Sequence, residues 1–292
     1  MCRLFGMSGG REPVRATFWL LEAPDSLAEQ SRREPDGTGL GSFAPDGTPV
    51  IAKQPLAAYE DKQFANQARE VSSGTFVAHV RYSSGGALTM ENTHPFEQHG
   101  RLFAHNGVIG GIDRLEQELG DAMSYVHGET DSERYFALIT RETEIAGDVG
   151  EGIVRAVNWL AANVPVFALN LVLTTPEDVW ALRYPETHEL YVLERDAGGS
   201  GGGARHLDQA SLRGTIRVRA GEMASRPAVV IATERMDEDP GWRPVEPAQL
   251  LHVGPDLLLS SREHVAGPPA HALSLADLDP RAASSQSAGP HR

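Results

Sequence analysis

MCRLFGMSGG (residues 1–10) opens the sequence and contains its single cysteine, Cys2, directly after the initiator methionine. The stretch is short and apolar, which predicts a strand starting at residue 2 or 3. A lone cysteine commonly serves as a small buried hydrophobe. Position 2 adds a second reading. Removal of Met1 would free an α-amine with an unperturbed pKa of about 7.7–8.0. Thiol and base would then sit on one residue, so no separate catalytic histidine is needed.

The chain has 292 residues, 40% of them hydrophobic, which is enough for one large domain or two small ones. Its formal net charge of −14 argues against nucleic acid or an anionic membrane as partner, since both require basic patches. No apolar run of transmembrane length and no signal-peptide pattern occurs, so the expected compartment is the cytoplasm. One cysteine excludes an internal disulfide. HExxH and CxxC patterns are absent, so neither a metal nor a cofactor is expected.

Further along, GTGLGSF and TPVIAKQ read as a hairpin turning at Asp46-Gly47. Residues 59–71 are amphipathic and predict a helix. Segments 74–84 and 101–111 predict strands, the second breaking at Asn106-Gly107. Helices are expected at 112–122, 130–146 and 150–163, with the Thr130/Asp131/Ser132 cluster as a cap. Residues 167–196 predict two or three strands with turns at Pro176 and Pro185. AVVIATE and QLLHVGPDLLLSS predict more, and GGSGGGA (198–204) reads as a flexible loop. Residues 266–292 are rich in Ala, Pro and Ser and read as a disordered tail. The order strands, helices, strands indicates an α+β layered fold, with one domain over 2–265.

Polar clusters fall in the first half. PDGTGLG (35–41) can bring backbone close to a ligand. HVRYSSGG (79–86) ends an apolar strand with Arg81, suited to a bidentate carboxylate pair. NTHPF (92–96) follows. HNGVIGG (105–111) offers the Asn106 amide and the unobstructed N–H of Gly107. GETDSE (128–133) places Asp131 at a helix start. Each also has a plain reading: hairpin, strand end, turn or cap, with His79, His94 and His105 as structural histidines.

In this order, MCRLFGMSG, PDGTGLG, AHVRYSS, NTHPF, AHNG and GETDSE resemble the glutaminase domain of class II glutamine amidotransferases, members of the N-terminal-nucleophile hydrolases. A looser similarity continues through VVIATE and GWRPVEPAQLL to about residue 260. The resemblance implies a four-layer αββα sandwich of two mainly antiparallel sheets. It implies Cys2 as nucleophile, and Asn106 and Gly107 as the oxyanion hole. It further implies Arg81, with Ser84 close by, for the α-carboxylate of glutamine, Asp131 for the α-ammonium, and His94 lining the pocket. Two departures stand out: Tyr82-Ser83-Ser84-Gly85 follows the strand-end arginine where synthases carry Trp and then Ala-Thr-His, and Thr38 stands where related stand-alone proteins often carry Trp.

The sequence contains no synthase domain. It therefore resembles the short members, either a stand-alone glutaminase or the glutaminase subunit of a separate synthase partner. A smaller side chain at Thr38 would widen the pocket, which fits the alternative of a γ-glutamyl hydrolase of the ergothioneine-pathway type. The remaining alternative is a binding protein that kept the fold and lost catalysis.

Overall fold

The computed structural model describes residues 2–82, 87–197, 208–210, 217–219, 226–262, 265 and 267–286. Ser84, the 198–204 loop and residues 287–292 lie outside them.

Two sheets carry the fold. The first contains β1 (Arg3–Ser8), β2 (Gly37–Phe43), β3 (Pro49–Gln54), β4 (Thr75–Arg81), β9 (Tyr191–Arg195), β12 (Ala228–Ala232) and β13 (Arg243–Pro244), in the order β13-β9-β12-β1-β4-β2-β3. The second contains β5 (Phe96–Gln98), β6 (Arg101–Ile109), β7 (Val166–Thr174), β8 (Val179–Arg183), β14 (Gln249–Val253) and β15 (Leu259–Arg262), in the order β15-β14-β8-β7-β6-β5. Within each sheet the strands pair antiparallel. A separate ribbon joins β10 (Asp208–Ala210) and β11 (Arg217–Arg219).

Three hydrophobic clusters define four layers. Leu4, Val77, Leu102, Val172 and Ile231 fill the space between the sheets. Phe5, Met7, Leu40 and Phe76 pack the outer face of the first sheet against Phe18, Trp19, Leu20, α1 (Leu27–Gln30) and α2 (Lys62–Glu70). Phe103, Leu169 and Leu171 pack the second sheet against α3 (Ile112–Leu119), α4 (Asp131–Ala146) and α5 (Val149–Asn163). The architecture is the αββα sandwich expected from the resemblance. β1 is buried at every position because both of its faces are covered, so its centre, Leu4–Met7, reads as a continuous apolar run rather than an alternating one. Truncating such a residue, as in Leu4→Ala, costs about 2–5 kcal/mol.

Strand alternation sorts the motif residues. In β4, Phe76, Ala78 and Val80 face the outer helices, so His79 and Arg81 face the opposite sheet. In β1, Leu4 faces inward, and Cys2 extends that row. In β2, Leu40 faces outward, and Thr38 shares its side.

Gly39 in β2 has a specific reason. A Cβ there would overlap the carbonyl oxygen of His94 and crowd the Pro95 ring 2.8 Å away. The 92–96 segment therefore lies directly on this strand, and that contact delivers His94 to the interior.

Three sequence expectations need correction. β6 does not break at Asn106-Gly107; it continues to Ile109, with an irregularity between Val108 and Ile109. Gly107 lies within the paired strand, where a Cβ would overlap the Ala168 carbonyl of β7, so this glycine permits a close approach and makes no turn. The helix expected over 112–122 gives way after Leu119 to a 3-10 turn, Gly120–Tyr125. Over 267–286 the segment read as disordered is folded, with helix α6 at Pro280–Gln286 and buried Ala282, Ser285 and Gln286. Its Ala/Ser composition hid a helix start, Asp279-Pro280, in which Asp279 caps the helix and Pro280 takes the first turn. Among the described residues no helix is long and apolar enough to cross a membrane.

Gly39→Ala will destabilise the fold by about 2 kcal/mol or more, because the obstructing atom is backbone and cannot rotate away. Gly267→Ala, where an added Cβ meets nothing within 4 Å, will stay within about 0.5 kcal/mol of the parent. Urea unfolding of both variants checks this; equal midpoints would refute the close approach.

Candidate active site

Cys2 lies just before β1 and is 8% exposed. Its Sγ is held by the main chain of Tyr82, which directly follows β4. The Tyr82 N–H donates to Sγ at 3.2 Å, and the Tyr82 carbonyl oxygen lies 3.3 Å away as acceptor for the thiol. The Cys2 carbonyl accepts from Asn106 Nδ2 at 3.0 Å. Burial pushes the thiol pKa up, opposed by the Tyr82 N–H and the Arg3 cation. The thiol is therefore neutral at neutral pH and needs a base to attack anything.

A cavity of about 210 Å³ opens at Cys2. It is lined by His79, Arg81, Tyr82, His94, His105, Gly107, Glu129, Asp131 and Ser132, together with Asp279, Ala282 and Gln286 of the segment carrying α6. The structure thus brings Cys2, Arg81, His94, Gly107 and Asp131 to one cavity, out of a sequence separation of more than a hundred residues. Asn106 sits behind Cys2, with one amide N–H already given to the Cys2 carbonyl.

Arg81 ends β4, almost fully buried, and donates to the Ala87 carbonyl at 3.3 Å. Burial lowers its pKa, while Cys2, Asp36 and Asp131 act in the other direction. Asp131 is the first residue of α4. Thr130, rather than Asp131, caps the helix, accepting from the Glu133 N–H. Asp131 instead uses Oδ2 to accept from the Ile109 N–H at 2.9 Å and Oδ1 to accept from the Ser132 N–H at 2.8 Å. These bonds fix its carboxylate at the helix N-terminus, where a negative charge is favoured. The cavity thus presents the Arg81 cation and the Asp131 anion, with the carboxylates of Glu129 and Asp279 also in its lining.

Three histidines line the same cavity. The rings of His79 and His94 lie 4.2 Å apart. His105 contacts Ser132 Oγ at 3.0 Å and the Ala168 carbonyl at 3.1 Å; the carbonyl can only accept, so Nε2 carries the proton. Burial is the main cause that lowers all three, reinforced for His79 by Arg81, and it brings His79 down to about 3. They are neutral at neutral pH and contribute shape and hydrogen-bonding capacity rather than charge.

Asn92 of the NTHPF motif works at a distance from the thiol. Its Nδ2 donates to the Ala87 carbonyl and to Glu129, and its Oδ1 accepts from the Glu129 N–H at 2.8 Å. It fastens the 87–92 loop to the loop before α4. Thr38 is fully buried on the outer side of β2 and does not line the cavity, so its size does not set the width of the pocket. Sequence reading missed Glu129, the Tyr82 main chain and the contribution of α6. The first two carry no motif signal beyond adjacency to Arg81 and Asp131.

Comparison with known proteins agrees with this geometry. Solved structures share the fold at 18–19% identity. A glutamine amidotransferase class-II domain protein from Silicibacter pomeroyi has a TM-score of 0.60, covering 91% of this chain and 100% of that one. Glutamine phosphoribosylpyrophosphate amidotransferase from B. subtilis has a TM-score of 0.62, covering 91% of this chain and 50% of its own. Among curated sequences, a probable glutamine amidotransferase of Saccharomyces cerevisiae is 31% identical over 160 residues, 47% of this chain and 44% of that protein. A putative glutamine amidotransferase of Haemophilus influenzae is 24% identical over 257 residues, 84% of this chain and 82% of that protein. The match spans less than half the length of the first curated relatives. The sequence profile of class-II glutamine amidotransferases matches residues 1–266. The chain belongs to that family of amidohydrolase enzymes.

The buried neutral histidines make stability depend on pH. Unfolded, His79 and His188 take up protons near pH 6.5; folded, they resist until about 3 and about 4 respectively, chiefly because of burial. Below pH 6.5 the unfolded chain therefore binds more protons, and stability falls with falling pH by up to about 1.4 kcal/mol per unit for each such histidine. His79→Gln will give a shallower decline between pH 6.5 and 4 in urea unfolding. Parallel curves for variant and parent would show that His79 is not neutral in the folded state.

Proposed function

We propose that the protein hydrolyses the side-chain amide of glutamine through Cys2, giving glutamate and ammonia. One observation carries the reading: a cysteine thiol fixed in a small cavity that also presents the buried Arg81 and the anchored Asp131. Those two charges match the α-carboxylate and α-ammonium of an amino acid, whose side-chain amide would be presented to the thiol in the same cavity.

The chemistry follows from the surroundings. Burial keeps the thiol protonated, and the lining histidines are too weakly basic to take its proton. The α-amine of Cys2, freed by removal of Met1, is a base of suitable strength, at about 7.7–8.0 when unperturbed. It accepts the thiol proton as sulfur attacks the amide carbon. Asn106 and the Gly107 N–H stabilise the resulting oxyanion. The carbon–nitrogen bond breaks and ammonia leaves with the proton from the amine. Water then hydrolyses the γ-glutamyl thioester, releasing glutamate and restoring the thiol. Arg81 and Asp131 hold the amino-acid head group, and Ser84 follows Arg81 closely in sequence. His94 lines the wall. A separate synthase subunit is the natural recipient of the ammonia.

The test is glutamate release from L-glutamine by protein whose mass shows that it starts at Cys2. Cys2→Ala will abolish release, and a form retaining Met1 will be inactive for lack of its base. Asn106→Ala will lower kcat by about 10²–10³. Arg81→Lys will raise KM by about tenfold, since an ammonium cannot make the bidentate pair. Full activity of Cys2→Ala or of the Met1 form would overturn the mechanism. Release only from N-substituted γ-glutamyl amides would make the protein a γ-glutamyl hydrolase.

A further inference from the structure

The family match ends at residue 266, yet the chain beyond it returns to the catalytic end of the sandwich. Segment 271–273 runs beside the start of β7. The Val166 N–H donates to the His271 carbonyl at 3.0 Å, and the Leu273 N–H donates to the Val166 carbonyl at 2.9 Å. Ser274 and Asp277 then close a reciprocal capping box. Asp279 Oδ1 accepts from the N–H groups of Arg281 and Ala282, both at 3.0 Å, and starts α6.

Helix α6 is held down by its own buried residues. Gln286 Oε1 accepts from His188 Nε2 at 2.7 Å, with both side chains buried. His188 is itself fixed, because its carbonyl accepts from Asn170 Nδ2 and Arg183 Nε. Ala282 and Ser285 are buried beneath the helix. Asp279, Ala282 and Gln286 thereby become part of the wall around Cys2, Arg81 and Asp131.

The cavity, half open to solvent, has a volume of about 210 Å³. Pockets for larger organic ligands run from about 300 to 1,000 Å³. A cavity of this size, with α6 in its wall, fits a substrate of amino-acid size. We infer that α6, a segment outside the family match, is the size-limiting wall of the substrate cavity and restricts this chain to small γ-amides such as free glutamine. The substrate class named here rests on the glutaminase reading above; the wall itself does not.

Two readouts separate the wall from the chemistry. Cys2 is the only cysteine, so alkylation followed by mass spectrometry reports access to this cavity alone. The full chain and a chain ending after Leu278 are compared with iodoacetamide and with a bulky N-aryl maleimide. The truncated chain keeps the pairing of 271–273 with Val166. The bulky-to-small labelling ratio will rise by about tenfold or more on truncation, and so will kcat/KM for N-substituted γ-glutamyl amides relative to glutamine. Gln286→Ala in the full chain, which removes the bond to His188, will shift the labelling ratio the same way by a smaller factor. It serves as the test should the shortened chain fail to fold. An unchanged labelling ratio overturns the inference. Equal acceleration of both reagents overturns it too, because α6 would then gate the site without sizing it. A risen labelling ratio in a protein that hydrolyses no γ-glutamyl compound supports the wall and removes the glutaminase reading.

Discussion

Everything at the catalytic end depends on Cys2 being pinned between the two sheets. Its sulfur is held by the main chain that leaves β4 in the first sheet, and its carbonyl by Asn106 of β6 in the second. A residue so close to a chain start would ordinarily fray. Here the tie on each side removes that freedom, so the thiol keeps one position relative to Arg81 and Asp131. The arrangement needs close approach of the surrounding backbone. Glycines at positions 39 and 107 supply it, each where a Cβ would overlap a carbonyl oxygen of a neighbouring segment.

Burial decides the electrostatics. It raises the thiol and lowers the three lining histidines, so the charges in the cavity lining are those of Arg81 and the carboxylates of Glu129, Asp131 and Asp279. The same burial deprives the histidines of basicity. The packing that positions the sulfur also lowers the basicity of its histidine neighbours.

Helix α6 shows how an addition to a shared fold can reshape a site without touching its reacting groups. It reaches the cavity through a short strand-like pairing beside β7, a capped turn and one buried hydrogen bond to His188. The residues it contributes are Asp279, Ala282 and Gln286, none of which belongs to the motifs of the first 133 positions.

The sequence by itself determined the layered α+β class, the strand at β1, the hairpin turning at Asp46-Gly47, the helix beginning at the Thr130 cap and the identity of the motif residues. Those signals are local: alternation, capping chemistry and turn residues act within a few positions of one another. It misread Gly107 as a turn, because glycine for conformational freedom and glycine for lack of room look alike until the neighbouring strand is placed. It gave Thr38 a place in the pocket, whereas the alternation of β2 turns that side chain to the outer layer. It also left 267–286 unstructured, because that segment owes its order to His188 and Val166, residues far away in the chain. Only the tertiary structure decided that Cys2, Arg81, His94, Gly107 and Asp131 share one cavity and that α6 forms part of its wall, since both depend on which strands become neighbours and how closely the layers approach.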